Sequence, residues 1–459
     1  MHYHFEGSLT ARDCKRHIPH QFVVPANSGQ MDIHLRFAPH GVHNITNMLT
    51  LAVFDLGGFR GAGHRDGASH RVHIGVIEAT PGYLPGPLPA GEWIAQIDTH
   101  MIMPGEAVYY WLDVTITEET SKGIETKVLR KARFRKIPQR GAGWYRGDLH
   151  SHTHHSDAGE RTVAELIQTA RDYRLDFIFL TDHNTTAGLD EMDASATGDL
   201  LTAGGVELTT FWGHALCLGT RAWVDWRVRP GTGDIARLAT TTYANDQVFI
   251  IAHPQATGDP ACTGCAWRYG EMMPGSARLI EIWNGPWGGD SNNAEALSLW
   301  YDWLNQGLCL VATAGTDTHS TQDYAAKPGF NVAYAEALSE AALLKALRAG
   351  HLYLSADPRV TFEARSESGE RWIIGDTVTK PVTFTVIWAN CPDDAQIRLI
   401  VNGRLLNQWM GGAHGEYEWN MTPDQADWVV VEIRGGNGGL LAITNPIFLQ
   451  QNKELSRPG

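Results

Sequence analysis

What the sequence lacks narrows its identity first. No stretch of its 459 residues approaches the roughly 20 consecutive apolar residues that a membrane-spanning helix needs. The opening Met1-His2-Tyr3-His4-Phe5-Glu6 lacks the charged-then-apolar pattern of a secretory signal. Cysteine is sparse. Cys14, Cys217, Cys262, Cys265, Cys309 and Cys391 are scattered through a large chain, which argues against a disulfide framework. A soluble, cytoplasmic protein in a reducing compartment is the expectation. Basic residues are outnumbered, 37 against 51 acidic, for a formal net charge of −14. Nucleic acid and anionic membrane surfaces select for clustered Lys and Arg, so neither is expected as a partner. Charged residues make up only 19% against 43% hydrophobic, the balance of a chain that folds rather than stays disordered.

The length predicts two or three domains. Residues 1–142 read as β structure: Met48–Phe54, Trp93–Ile97 and Val108–Ile116 are short runs rich in β-branched and aromatic residues, and no long helical period intervenes. A β-sandwich or jelly roll is expected there. From 143 to 358, strand-like runs at Trp144–His150, Phe177–Asp182, Val248–His253, Leu279–Trp283 and Leu308–Ala314 alternate with helical stripes such as Val163, Leu166, Ile167 and Ala170. That alternation predicts an α/β region of parallel strands with outer helices, as an open sheet or a barrel. Residues 359–459 return to β, with Asn402-Gly403 marking a hairpin. The two β regions are expected to pack together beside the α/β region, and the tail from Lys453 to fray.

Histidines and acids gather at the C-terminal ends of these strands. The first ends in Asp148-Leu149-His150-Ser151-His152-Thr153-His154-His155-Ser156-Asp157. Residues two apart on extended chain face one side, so His150 and His152 aim into one space. Further ends carry Thr181-Asp182-His183-Asn184, Glu207, His214, His253, Glu281 and Asp317-Thr318-His319. One histidine at a strand end is ordinary. Several ends so equipped point to a site, because this edge is where parallel α/β proteins build them. Imidazole and carboxylate without thiolate suit zinc, manganese or iron, and the number of ligands suggests more than one ion. Buried without metal, so many polar groups would be costly.

These motifs, in this order over residues 146–358, resemble those of the PHP (polymerase and histidinol phosphatase) metal-dependent hydrolases. Ile280–Gly285 and Asn445-Pro446-Ile447-Phe448 further resemble the CehA/McbA group, which includes carbaryl hydrolases. The resemblance implies a distorted (β/α)7 barrel with three divalent ions (Zn, Mn or Fe) at its C-terminal face. His150, His152, Glu207 and Asp317 would hold one ion. Glu207 would bridge to a second, completed by His214 and His253. Asp157, His183 and His319 would hold a third, weaker or harder in preference because many members place histidine where Asp157 stands. Asp182 would orient His183 or serve as a ligand. The implied activity is phosphomonoester or phosphodiester hydrolysis of a small molecule by a metal-bridging hydroxide, with Asp317, His214, Glu207 and Asp182 as catalytic groups. His154, His155, His214 and Asp317 are candidates for protonating the leaving group. The alternative is a carboxylic ester, carbamate or amide hydrolase of the CehA/McbA type; a third reading, a non-catalytic scaffold, conflicts with the complete ligand set.

Other residues have two readings each. His155 reads as a solvent-facing loop residue or a substrate contact. Trp212, Trp283 and Trp287 are core residues or, with Asn284, the lining of an apolar substrate pocket. Cys262-Thr263-Gly264-Cys265 is read as incidental loop cysteines before a labile disulfide or loop staple. Arg161, Arg268 and Lys327 are the cations available to a phosphate, none compellingly placed.

Overall fold

The computed structural model of the chain describes residues 1–42, 45–118, 136–156 and 161–450. Along Ser28–Ala38 the side chains alternate: Met31, Ile33, Leu35 and Phe37 are buried while Asp32 and Arg36 are exposed. Such a period of two gives each strand one apolar face. Two four-stranded sheets result, His2–Leu9 with Val108–Glu118, Ser28–Ala38 and Ser69–Gly75, and His17–Val24 with Gly91–Met101, Met48–Asp55 and Gly58–Gly63. Their inner faces meet in a core around Trp93, Leu51, Ile33 and Leu112. This is the expected sandwich.

The middle region is mixed α/β. Gly143–Asp148, Phe177–Leu180 and Leu201–Thr210 lie parallel, and Val248–Ile251, Leu279–Asn284 and Val311–Gly315 run in the same direction. Between these two sets, Gly213–Leu218 folds back antiparallel as a tight hairpin on Leu201–Thr210. On the far side, Phe330–Ala335 and Leu352–Ser355 are also paired antiparallel. Helices flank the strands at Val163–Asp172, Leu189–Ala194, Asp234–Ala244, Asn293–Asn305 and Glu340–Ala349. The first is capped by a reciprocal Thr162–Glu165 box and buries the predicted Val163, Leu166, Ile167 and Ala170.

A regular (β/α)7 barrel is therefore not what the hydrogen bonds describe. The sheet runs as an open path from Val311–Gly315 to Arg404–Met410. Among the described residues, its first strand lacks an outer ladder partner and is served by two buried asparagine amides. Asn331 accepts from the Ala314 N–H at 3.0 Å and donates to its carbonyl at 2.6 Å; Asn445 does the same for Ala312, at 2.7 and 2.9 Å. Beyond the strands the segments following Val311–Gly315 and Gly143–Asp148 do meet, where the Asp317 N–H donates to the His150 carbonyl and the His152 N–H to that of Thr318, each at 3.0 Å.

The C-terminal residues form their own sandwich. One of its sheets is the continuation of the central sheet, through Leu352–Ser355 paired to Leu440–Thr444; the other is Arg371–Ile373, Arg359–Arg365, Val382–Ala389 and His414–Met421. The Asn402-Gly403 hairpin forms as expected. The two terminal β regions do not merge, because each closes its own apolar core. The N-terminal one packs instead on the central region, where Phe54 and Phe59 meet Trp223 and Trp226 and the Trp226 indole donates to Asp98 at 3.0 Å. The tail from Lys453 lies outside the described residues.

A second junction is the turn at Gly82, whose N–H donates to His155 Nδ1 at 3.0 Å and whose carbonyl accepts from Thr185 at 2.8 Å. Its φ is +90°, and an added Cβ would collide with the His155 and Ala62 carbonyl oxygens. Gly82→Ala is expected to lower stability by about 1–3 kcal/mol, read as a shift of the denaturation midpoint.

Candidate metal centre

The site lies at the edge shared by the C-terminal ends of the parallel strands. Its framework is set by Asp148, wholly buried, which accepts from the Thr316 N–H (3.1 Å) and hydroxyl (2.5 Å), the Tyr324 hydroxyl (2.7 Å) and the His150 N–H (3.2 Å). Burial pushes its carboxyl above the usual range. Asp148 thus locks the His150 segment to the Asp317 segment.

Glu207 occupies the centre, fully buried. Its oxygens divide the imidazoles between them. Oε2 lies 3.3 Å from His150 Nε2, 3.3 Å from His152 Nε2 and 2.7 Å from His183 Nδ1; Oε1 lies 3.1 Å from both His214 Nδ1 and His253 Nε2. Asp317 Oδ1 faces His150 and His152 Nε2 at 3.3 and 3.0 Å. The His319 ring stacks on His152 with centroids 4.6 Å apart. His214 reaches this edge because it stands second on an antiparallel strand, opposite Thr209. The backbone is left-handed at His253 (φ 25°) and Asp317 (φ 51°), the kind of strain found where a side chain must be aimed.

The donor atoms form three overlapping groups: His150, His152, Glu207 and Asp317; His183, Glu207 and His214; and His152, His183 and His319. The second departs from the expected set, since His183 joins His214 while His253 approaches Glu207 Oε1. Nε2 of His150, Nε2 of His214 and Oε2 of Glu207 are sealed from solvent without a directed hydrogen bond. Orphaned donor atoms around one carboxylate fit divalent cations, and the nitrogen and oxygen donor set suits zinc, manganese or iron.

Partners outside the cluster fix the rings. His150 Nδ1 faces Glu281 at 3.2 Å, and the other Glu281 oxygen accepts from the His253 N–H and the Asn284 amide, both at 3.0 Å. His253 Nδ1 lies 3.1 Å from the Cys265 carbonyl, and His183 Nδ1 lies 2.6 Å from the Thr209 hydroxyl. Burial alone would lower His150 and His253, yet the facing carboxylates outweigh it, holding His150 well above its ordinary value and His253 at about 8. Burial wins at His183, pushed down to about 3.

Several expected roles change. Asp182 is not at the centre: it accepts from Thr153 N–H (2.7 Å), Thr153 hydroxyl (2.8 Å) and Ser156 hydroxyl (2.9 Å), bracing the loop that carries the ligands. Asp157 lies outside the described residues. His155 does not face solvent and is not among the residues lining the cavity at the site; it is buried between Gly82 and Glu191. His154, His155 and Glu191 also converge, but His155 Nδ1 already accepts the Gly82 N–H, which places its proton on Nε2 and opposes metal there. Asn284 bonds Glu281 and, at 3.3 Å, Asp317. Trp283 is buried core against Trp287, Trp287 faces Arg434, and Trp212 lies under Lys15. None of the three lines the cavity at the site. Cys262 and Cys265 are joined as a disulfide, the left-handed Gly264 between them allowing the turn. Arg161 is spent on the His152 and Thr318 carbonyls.

The cavity holds about 450 Å³ and is lined by His183, His214, His253, Asp317 and His319 on one side. The opposing wall is Thr46, Met48, His64, Asp66 and Met101 from the N-terminal sandwich, with the disulfide loop Pro260–Cys265. His64 was not expected; its ring lies 4.6 Å from that of His183. No strand-end spacing or motif marks it.

No protein-family model and no curated protein matches the chain. Matching solved structures include a two-domain protein containing a predicted PHP-like metal-dependent phosphoesterase from Bacteroides vulgatus, at 15% identity and TM-score 0.38, covering 68% of this chain and 98% of that one. Another is a candidate metal-dependent phosphoesterase from Bifidobacterium adolescentis, at 16% identity and TM-score 0.29, covering 38% and 88%. Both likenesses are loose.

Glu207→Gln is expected to reduce the metal-to-chain ratio measured by elemental analysis, with the circular dichroism spectrum retained. Binding should also depend on pH. His253 must be neutral to ligate through Nε2, and in the metal-free protein it holds its proton up to about pH 8. Apparent affinity for Mn²⁺ or Zn²⁺ therefore rises about tenfold per unit as pH climbs from 6.5 towards 8 for this one proton. Calorimetry in buffers of different ionisation enthalpy would register the released protons.

Proposed function

We propose that this chain is a multinuclear metal-dependent hydrolase of the PHP type, acting on phosphoester bonds of a small molecule. The observation that carries the reading is the buried Glu207 carboxylate, with His150, His152 and His183 at one oxygen and His214 and His253 at the other. Bound divalent ions would supply an ionised water near neutral pH and a Lewis acid for the scissile bond.

The chain's own residues bind, orient and exclude. Glu281 and the Cys265 carbonyl hold His150 and His253 by their outer nitrogens, leaving both Nε2 atoms aimed inward. The Thr209 hydroxyl lies against His183 Nδ1, the nitrogen that also faces Glu207, and the Asn284 amide donates to Asp317. The sandwich wall and the disulfide loop shield the reacting group from bulk water. Of the candidates for protonating the leaving group, Asp317 and His214 line the cavity, whereas His154 and His155 do not.

A second reading has its own support. Met48, Met101, Pro260 and Ala261 line the cavity, and no Lys or Arg does among the described residues. That lining favours a neutral carboxylic ester or carbamate, the CehA/McbA-type alternative. Kinetics with Mn, Zn or Fe on p-nitrophenyl phosphate, its bis-ester, p-nitrophenyl acetate and a 1-naphthyl carbamate separate the two. Phosphate-ester turnover is expected; cleavage of only the last two would transfer the assignment. Glu281→Gln is expected to lower metal affinity or turnover about 10–100-fold.

A further inference from the structure

Among the described residues, one cavity histidine belongs neither to the donor groups nor, as His253 does, to the contacts of Glu207. His64 follows the Gly58–Gly63 strand and is presented to the cavity from the N-terminal sandwich. Its neighbour Arg65 ties that segment to the central region through the His154 carbonyl, at 3.2 Å. The ring is wedged between His183, 4.6 Å away, and His100, 4.8 Å away.

Its Nδ1 is sealed from solvent and has no partner among the described residues. A cationic ring, or the tautomer with hydrogen on Nδ1, would strand an N–H there. A stranded lone pair is the lesser cost, so the proton belongs on Nε2, the nitrogen left to the cavity. Other donors are few: the wall has no Lys or Arg among the described residues, and the Thr263 hydroxyl is committed to the His100 carbonyl (3.0 Å) and Asp259 (2.9 Å). Ester hydrolysis gathers negative charge on a non-bridging oxygen, whether phosphoryl or tetrahedral carbon, and that oxygen needs a donor.

We infer that the Nε2–H of His64 donates a hydrogen bond to an anionic oxygen of the group held at the metal centre, which makes the N-terminal sandwich part of the active site. The inference rests on the hydrolase reading, but the contact can be tested apart from it.

Metal-loaded wild type, His64→Leu and His64→Gln would be compared by metal-to-chain ratio, by calorimetric titration with vanadate, and by kcat and KM on the best ester found. The expected result is an unchanged metal ratio in all three. His64→Leu should weaken vanadate binding and lower kcat about 100-fold with KM little altered, and His64→Gln, which keeps an N–H donor, should recover about tenfold of that loss. A lower metal ratio in His64→Leu would overturn the inference by making His64 a ligand. Unchanged vanadate affinity and kcat, or a wild type that binds no vanadate, would overturn it as well. A wild type that hydrolyses no ester yet binds vanadate more tightly than His64→Leu would remove the hydrolase reading and keep the hydrogen bond.

Discussion

A carboxylate with no access to solvent is the constraint from which the rest of this structure follows. Removing Glu207 from water costs several kcal/mol unless opposite charge and directed donors replace the lost hydration. Five imidazoles from four separate segments supply that replacement, and each needs a fixed orientation. The supporting contacts of Glu281, Thr209, Asn284 and the Cys265 carbonyl are answers to that need. Asp148 is a second buried acid with a different solution: it is met entirely by neutral and backbone donors and so stays structural.

The fold is organised to bring those segments to one edge. Parallel strands deliver their ends there directly. The antiparallel Gly213–Leu218 strand reaches the same place by its beginning, so the hairpin from Thr210 to Gly213 performs the work a helical crossover would otherwise do. The opposing wall comes from a domain whose own core is independent, held by the Gly82 turn and the Phe54–Trp226 cluster. The far wall of the cleft and the clustered imidazoles are thus contributed by different parts of the chain.

The convergence of these imidazoles and carboxylates was legible in the sequence because strand periodicity translates directly into direction: His150 and His152 had to share a side, and strand ends had to share an edge. Side chains whose role depends on depth were not. Nothing local distinguishes an Asp182 that braces Thr153 and Ser156 from one that faces a metal. Trp212, Trp283 and Trp287 are large and near the motifs, but size does not tell which way an indole points. His64 was invisible for a different reason, since only the packing of one domain on another places it beside His183. The central region's departure from a regular barrel likewise depends on asparagine amides that occupy a strand's position, which no hydrophobic pattern encodes.

Asn445 bears on the question of modularity. Its side chain caps the Ala312 amide and carbonyl and also reaches the Leu352 carbonyl at 3.1 Å, yet it sits between the Leu440–Thr444 and Ile447–Leu449 strands of the C-terminal sandwich. A fragment cut at residue 358 would lose that clip together with the Leu440–Thr444 strand, leaving one bare sheet margin and one half-dressed strand beneath the ligands. The central region and the C-terminal sandwich are accordingly one structural unit, joined by a shared sheet and by a side chain that one lends to the other.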